Sequence, residues 1–348
     1  MYTHKESKKR RDIMQRVLII GGTGLLGYHT TLELLSKGYE VTSVSLPPMP
    51  VEDLFSEEVT NILADINCYS DEELAELVAG HYAIMYAAGA DERVVPDFPS
   101  AKFFYEQNVR PVQRVARIAA AQGVKKFVLF NSYTAEFGEL WPELGYRERN
   151  GYPRTRLLQE EVAIMEGNGG MDVTSLRLPY IFGTMPGRQP LWHMFIDIAE
   201  GSPERVTTQL GSTSSVTVKQ VAQSAVGAME RGEHGGKYPI NGYNLKYTEF
   251  MGLVCEALGR SADEVIGIPY EAVKEYLVQA DAQVAAAGKE HGIHLVDSVQ
   301  FQARDAVSDP EPVMAAIGYE ADDVVASIKE TLAYCMENRS VYKESLSH

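Results

Sequence analysis

Tyr152 and Arg156 stand four residues apart in a segment with helical spacing, which puts both side chains on one face, Cβ atoms about 6 Å apart. A phenol beside a fixed positive charge has its ionised form favoured, so its pKa is expected to fall from about 10 toward a range useful for proton transfer. The pair is a candidate general acid or base at a carbonyl or hydroxyl. A hydroxyl-rich run, Asn131-Ser-Tyr-Thr134, follows an apolar segment, and Ser132, Tyr133 or Thr134 could bond the same substrate oxygen or cap the turn instead. Trp141, Tyr180, Phe182, Trp192, His193 and Phe195 are candidates for the substrate end, because loop aromatics stack on rings and line apolar pockets. Read without that role, they are packing residues, and His193, His291 and His294 are polar surface groups. No cysteine or carboxylate spacing completes a metal set.

These groups need a scaffold, and the chain begins with one. Val17-Leu-Ile-Ile20 reads as a buried strand, Tyr28 to Lys37 as a helix closed by Gly38, and Gly21, Gly24 and Gly27 lie between them. Glycines there let the backbone turn tightly and approach a pyrophosphate, which then sits on the helix N-terminus. The triplet alone also fits an ordinary turn. Its position between strand and helix makes it a dinucleotide-binding unit.

Later segments alternate in the same way. Strands are predicted over 40–46, 59–66, 82–88, 124–131 and 173–178, and helices over 71–79, 101–122 and 152–165. The stretch between 131 and 152 is predicted to be a loop rich in Gly and Glu. Strand–helix alternation implies an α/β doubly wound parallel sheet with right-handed crossovers. The run Asn131 to Thr134 then falls at the carboxyl edge of the sheet, where such folds bind ligands. Beyond Pro179 the pattern changes to a Pro/Gly-rich stretch, a helix over 191–198 and a strand over 204–208. A helix over 218–231 and a strand over 237–241 return to the sheet. From 248 onward the chain reads as mainly helical, with a polar stretch over 291–312. Residues 14–178 and 215–245 are expected to form the dinucleotide-binding domain, and 179–214 with 246–348 a smaller, mainly helical substrate lobe.

Composition narrows the function classes. The chain has 348 residues, room for one large or two intimate domains, and a net charge of -16. That charge argues against nucleic acid or an anionic membrane as partner. Cys68, Cys255 and Cys335 are widely spaced and odd in number, which fits reduced thiols in a cytoplasm. No run reaches transmembrane length, so a cytoplasmic protein is expected. Residues 1–13 are basic and read as a disordered extension, or as sequence upstream of a start at Met14.

The motifs together resemble the extended short-chain dehydrogenase/reductase family, which includes nucleotide-sugar epimerases and dehydratases. The likeness rests on Gly21-Gly-Thr-Gly-Leu-Leu-Gly27, Ala64-Asp-Ile66, Tyr86-Ala-Ala88, Asn108-Val, Phe130-Asn-Ser132, Phe137-Gly138, Tyr152-Pro-Arg-Thr-Arg156 and Leu176-Arg-Leu-Pro179. Val216 to Ala222, Lys237 to Asn241 and Ile317-Gly-Tyr319 resemble the family's later landmarks, so it covers nearly the whole chain after Met14. The resemblance implies a Rossmann fold holding NAD or NADP. Gly21, Thr23, Gly24, Leu25, Leu26, Gly27, Ser45, Asn131 and Pro179 would contact the cofactor. Asp65 and Ile66 would hold the adenine, Ala87 and Ala88 would line the cofactor bed, and Asn108 would brace the sheet edge near the nicotinamide. Tyr152 would be the proton donor or acceptor, with Ser132 or Tyr133 polarising the oxygen.

Two positions depart from the family pattern. Its lysine is Arg156 here, which can hold ribose hydroxyls but cannot pass a proton. Its Ser or Thr partner falls at Tyr133. The end of the second strand carries Ser45-Leu46 where an acidic residue would mark NAD and an arginine NADP. Serine removes repulsion against a 2′-phosphate without adding charge, which tilts the expectation to NADP.

The reading that follows is an NAD(P)-dependent oxidoreductase acting on a carbonyl or alcohol of a small-molecule substrate, with a homodimer as a possible assembly. The alternatives are a nucleotide-sugar epimerase or dehydratase with tightly bound NAD, and a non-catalytic cofactor sensor or partner-binding protein.

Overall fold

A computed structural model describes residues 15–345. The basic arm at 1–13 lies outside the described residues. Six strands appear in the first half of the chain: β1 (Arg16–Ile20), β2 (Glu40–Ser45), β3 (Val59–Leu63), β4 (Ala83–Tyr86), β5 (Lys126–Ser132) and β6 (Asp172–Leu178). Seven short ones follow: β7 (Tyr180–Phe182), β8 (Val206–Gln209), β9 (Ser212–Thr217), β10 (Lys237–Pro239), β11 (Tyr243–Lys246), β12 (Val265–Ile268) and β13 (Asp305–Ala306). The main sheet has seven strands in the order β10-β6-β5-β4-β1-β2-β3, all parallel. The doubly wound α/β sheet read from the sequence is therefore present.

Strict alternation along each strand builds two cores. Val17 and Ile19, Ala83 and Met85, and Val128 and Phe130 face one side. Leu18 and Ile20, Ile84 and Tyr86, and Phe127 and Leu129 face the other. Burial on both faces is what makes these strands read as unbroken apolar runs. The first side is covered by helices Leu25–Ser36, Val218–Arg231 and Pro310–Ile317, which contribute Leu34, Val221, Ala225, Val313 and Ile317. The second is covered by Asp71–Val78, the Ser100–Ala121 helical run and Gly151–Gly167, through Leu74, Val112, Val115 and Ala163.

The chain order reverses between β1 and β4, which opens a crevice at their carboxyl ends. The glycine turn follows β1, Ala87 and Ala88 follow β4, Asn131 to Thr134 close β5 and Pro179 follows β6, all along that edge, and Tyr152 and Arg156 reach it from helix Gly151–Gly167.

The other lobe is mainly helical, as expected, and adds small sheets to its helices. A four-stranded sheet joins β7, β9, β11 and β13, and β8 pairs with β12. These strands are two to six residues long, and β8 and β9 are rich in Ser and Thr, so they carry little of the periodic signal that marks a strand in a sequence. The lobe has its own core, in which Phe182, Trp192, Ile196, Val206, Phe250, Val254, Ile328 and Leu332 meet. The expected loop after β5 is also largely helical, with helices at Tyr133–Leu140, Pro142–Leu144, Tyr146–Arg149 and Gly151–Gly167. Its aromatics explain this: Phe137, Leu144 and Tyr146 are buried with Phe301 in a small satellite core.

Candidate functional site

The glycine turn is as tight as the sequence implies. Gly21 has φ +91°, and a Cβ there would lie 2.9 Å from the Ala87 carbonyl oxygen. At Gly27 a Cβ would lie 2.3 Å from the Gly21 carbonyl oxygen, so only glycine lets the helix approach the strand this closely. Gly24 is the N-cap of helix Leu25–Ser36, no side chain caps that helix, and its first turn holds no acidic residue. Its open N–H groups and positive dipole end fit a pyrophosphate. Thr23 donates its backbone N–H to Ser45 Oγ at 2.9 Å, tying the turn to the end of β2. Asp65 caps the short turn after β3 by accepting from the Asn67 N–H at 2.9 Å, and Ile66 beside it is buried.

The crevice widens beyond Ala87 and Ala88 into a cleft of about 540 Å³. Leu26, Ala87, Ala88, Asn131, Ser132, Tyr133, Tyr152, Arg156, Pro179, Tyr180 and Trp192 all line it, so the structure gathers most of the predicted residues at one place. Tyr152 enters from the first turn of Gly151–Gly167, where its ring packs edge-on against Phe104 with centroids 5.3 Å apart. Arg156, one turn further along, donates Nε–H to the Tyr152 hydroxyl oxygen at 3.0 Å and Nη1–H to Gln159 Oε1 at 2.8 Å. Gln159 in turn donates to the Asn108 backbone carbonyl at 2.9 Å. Asn131 holds this helix by donating to the Arg156 carbonyl at 3.0 Å.

The electrostatics of Tyr152 reverse the expectation. Burial is the largest influence on its phenol, and it outweighs the opposing pull of the Arg156 charge and of bonds from Arg156 and Ser132. The pKa is pushed up to about 12 instead of falling. The group is thus a neutral phenol near pH 7.

Ser132, not Tyr133, is the hydroxyl partner that the fold brings to Tyr152. Ser132 ends β5 and caps the next helix, accepting from the Thr134 N–H at 3.2 Å and from its hydroxyl at 3.1 Å, and it is among the influences that lower the Tyr152 pKa. Tyr133 faces the aromatic cluster, 5.6 Å from Phe301 and 6.4 Å from Tyr180 between ring centroids. Its phenol is held well above its usual pKa by burial.

Asn108, Trp141, His193 and Phe182 do not line the cleft, and Phe182 is buried in the core of the other lobe. Asn108 lies in a wide π turn (Tyr105–Val109), and its carboxamide is spent on both backbone groups of Ala90, at 2.8 and 2.9 Å. It braces the segment after β4, a bracing role like the one the resemblance implies. Trp141 packs 4.6 Å from Phe137 with the Arg304 guanidinium over its ring, and it does not line the cleft. His193 is fully buried, stacked 4.1 Å from Tyr342 and bonded to Gln189 at 3.0 Å. Burial against Arg339 lowers its pKa, as expected for a neutral packing histidine and not for a substrate contact.

Other cleft residues escaped the sequence reading. Asp91, Glu92 and Arg93 follow β4, and the carboxyl-edge rule could have singled them out. Arg93 is paired with Asp91. Glu92 also lines the cleft, and desolvation there raises the pKa of its carboxyl. His291, Ile293, Leu295, Ser298 and Gln302 form a further wall. Backbone pairing fixes this wall to the Tyr152 helix: Tyr152 N–H donates to the Gly292 carbonyl at 2.9 Å, and His294 N–H donates to Asn150 Oδ1 at 2.8 Å. Nothing local in the sequence announces a contact across that separation.

Known proteins agree with this architecture. A family described as the NAD dependent epimerase/dehydratase family matches residues 17–240. The chain is 29% identical to the UDP-glucose 4-epimerase of Klebsiella pneumoniae over 143 residues, covering 38% of this chain and 99% of that sequence. It is 26% identical to the 3-beta-hydroxysteroid dehydrogenase of Mycolicibacterium neoaurum over 187 residues, covering 50% of this chain and 49% of the other. In fold it resembles DesIV, the dTDP-glucose 4,6-dehydratase of Streptomyces venezuelae crystallised with NAD and TYD, with a TM-score of 0.67 at 18% identity. That likeness covers 94% of this chain and 98% of DesIV. The family match spans the sheet from β1 to the end of β10, including the glycine turn and the Tyr152 helix. On that span the chain belongs to the NAD dependent epimerase/dehydratase family.

Proposed function

We propose that this protein is an NAD(P)-dependent oxidoreductase that acts on a carbonyl or alcohol carried by a largely apolar, ring-containing small molecule. The observation that carries this reading is the neutral Tyr152 phenol, bonded to Arg156 and lining, with Ser132, a cleft walled by aromatic and aliphatic side chains. When bound, the nicotinamide supplies hydride exchange with the substrate carbon. Tyr152 donates its proton to the oxygen that gains charge as a carbonyl is reduced. Ser132 Oγ, at the end of β5, is placed to bond the same oxygen. Arg156 orients the phenol and has Nη2 left over for a ribose hydroxyl, and Asn131 fixes the helix turn that carries it.

The lining also bears on the alternative suggested by relatives named as nucleotide-sugar epimerases. A second pyrophosphate would need free cationic side chains. Of the two arginines lining this cleft, Arg93 is paired with Asp91, and Arg156 is bonded to Tyr152 and Gln159 with Nη2 alone left over. Tyr180, Trp192, Phe195, Leu191, Met194 and Ile293 favour an apolar framework instead.

The test pairs two assays on the same preparation. One follows NAD(P)H consumption with a panel of cyclic and aromatic ketones and aldehydes. The other follows interconversion of UDP-glucose and UDP-galactose without net redox. Carbonyl-dependent NAD(P)H consumption that disappears in Tyr152→Phe supports the proposal. Sugar interconversion without carbonyl reduction replaces it with the epimerase reading.

A further inference from the structure

We propose that Arg188 is the binding residue for the 2′-phosphate of NADP, supplied across the crevice from the other lobe. The inference rests on the proposed dinucleotide site and deepens it.

Strand β2 ends at Ser45, the place where a dinucleotide fold meets the adenosine ribose. Neither Ser45 nor Leu46 has a charge, and prolines follow them. An acidic side chain that would take the ribose diol of NAD is therefore missing from this strand end. No cation stands there in the sequence either. The structure brings one from 143 positions downstream (188 - 45). Arg188 donates Nε–H to the Thr23 carbonyl at 2.9 Å, and the N–H of the same Thr23 is bonded to Ser45 Oγ at 2.9 Å. One glycine-turn residue thus links the end of β2 to the guanidinium.

The loop that carries Arg188 is fastened to the dinucleotide half at two more points. His29 Nε2 is 2.8 Å from the Thr184 carbonyl oxygen. Gly187, with φ +73°, lies flat on Pro50, where a Cβ would come within 2.5 Å of the carbonyl oxygen. Any other residue there would lift the loop from the turn. Arg188 is exposed, and among the described residues it forms no ion pair and its two terminal nitrogens have no protein partner. Its fork matches a phosphate dianion, which it can grip with two parallel N–H bonds. Asp65, whose strand end adjoins Ser45 through the Ala64 N–H to Ser45 carbonyl bond at 2.8 Å, is held by the Asn67 N–H and is no rival partner for Arg188.

Calorimetric titration of the nucleotide-free full chain with NADPH, NADH and adenosine 2′,5′-bisphosphate tests the assignment without any turnover. The wild-type protein should bind NADPH at least about tenfold tighter than NADH, and Arg188→Gln should weaken NADPH and the bisphosphate by about ten- to a hundredfold while leaving NADH within about twofold. Arg188→Lys, which keeps the charge but not the fork, should recover part of the loss. Unchanged thermal midpoints of the variants exclude a folding defect as the cause. Equal weakening of both dinucleotides, or a wild type indifferent to the 2′-phosphate, overturns the role of Arg188. A wild type that binds neither dinucleotide overturns the proposed function with it, whereas absent carbonyl turnover with intact NADPH selectivity overturns only the function.

Discussion

Arg156 donates to the hydroxyl oxygen of Tyr152 at 3.0 Å, and its carbon also lies 5.1 Å from the centre of the Tyr152 ring. The pair therefore holds one geometry by a hydrogen bond and by cation–π contact at once. This arrangement makes the phenol a directed donor, while burial keeps it protonated.

Removing the hydroxyl should stop chemistry and little else. Tyr152→Phe keeps the ring against Phe104 but deletes the acid, and kcat should fall by about 10²- to 10⁴-fold. Dinucleotide affinity should stay within about twofold, because no part of the glycine turn is touched. Equal loss of affinity and kcat would show that Tyr152 binds and does not donate.

Arg156 makes the second case. Arg156→Gln removes the main opposition to burial, so the phenol pKa should rise further, and kcat should drop while the fold is kept. Arg156→Lys restores a charge near the phenol together with a group that can lose its proton, so activity should be retained or exceed that of the parent. Steady-state kinetics of the two variants across pH 6–10 decide this, and a Lys variant as poor as the Gln variant counts against the role given to the charge.

The wall at 288–302 should respond to pH. Although burial alone would raise the pKa of Asp297, hydrogen bonds from His294, Arg149 and Asn150 pull it down to about 2. Its contribution to stability is therefore full above the ordinary carboxylate value and lost as pH falls from there through about 2. The bond to Asp297 raises His294 above its ordinary 6.5, so that contribution is full below 6.5 and lost as pH rises through the elevated value. Attachment of the wall should be strongest between about pH 4 and 6.5. Asp297→Asn should cost about 1–3 kcal/mol in that window and flatten the dependence. Thermal midpoints against pH, with hydrogen exchange over 288–302, provide the measurement.

A buried ion cluster sits behind the cleft. Arg177 on β6 is 3% exposed and bonds the fully buried Glu160 at 2.7 Å, with Glu139 at 2.6 Å and Glu136 at 2.5 Å. Arg177→Met would strand Glu160 uncompensated, and a loss of about 3–5 kcal/mol is expected in chemical denaturation. A change below 1 kcal/mol would mean that water or Lys237, 3.8 Å from Glu160, takes over.

The sequence resolved what depends on short-range pattern. The parallel strands were legible because both faces of β1, β4 and β5 are apolar, and the glycine turn because its spacing is dictated by backbone contact. The helix register set Tyr152 beside Arg156. Properties that depend on distant partners were hidden. The direction of the Tyr152 shift follows from burial by residues such as Phe104 and the Gly292 segment, which no local pattern exposes. The family motif at Asn108 does not reveal that its carboxamide bonds Ala90. His193 looked exposed because a lone histidine carries no periodic signal. The role of Arg188 was hidden as well, since its meeting with Thr23 depends on a loop that crosses between lobes.

The chain of bonds behind Tyr152 has a consequence for turnover. From the phenol it runs through Arg156 to Gln159 and ends on the Asn108 backbone carbonyl, and none of these groups can release a proton near neutrality. A tyrosine that has given up its proton must therefore be recharged from the cleft mouth, on the side the product leaves. Resupply and product departure share one doorway. Slow exchange through it would register as a solvent isotope effect that grows with the size of the bound molecule.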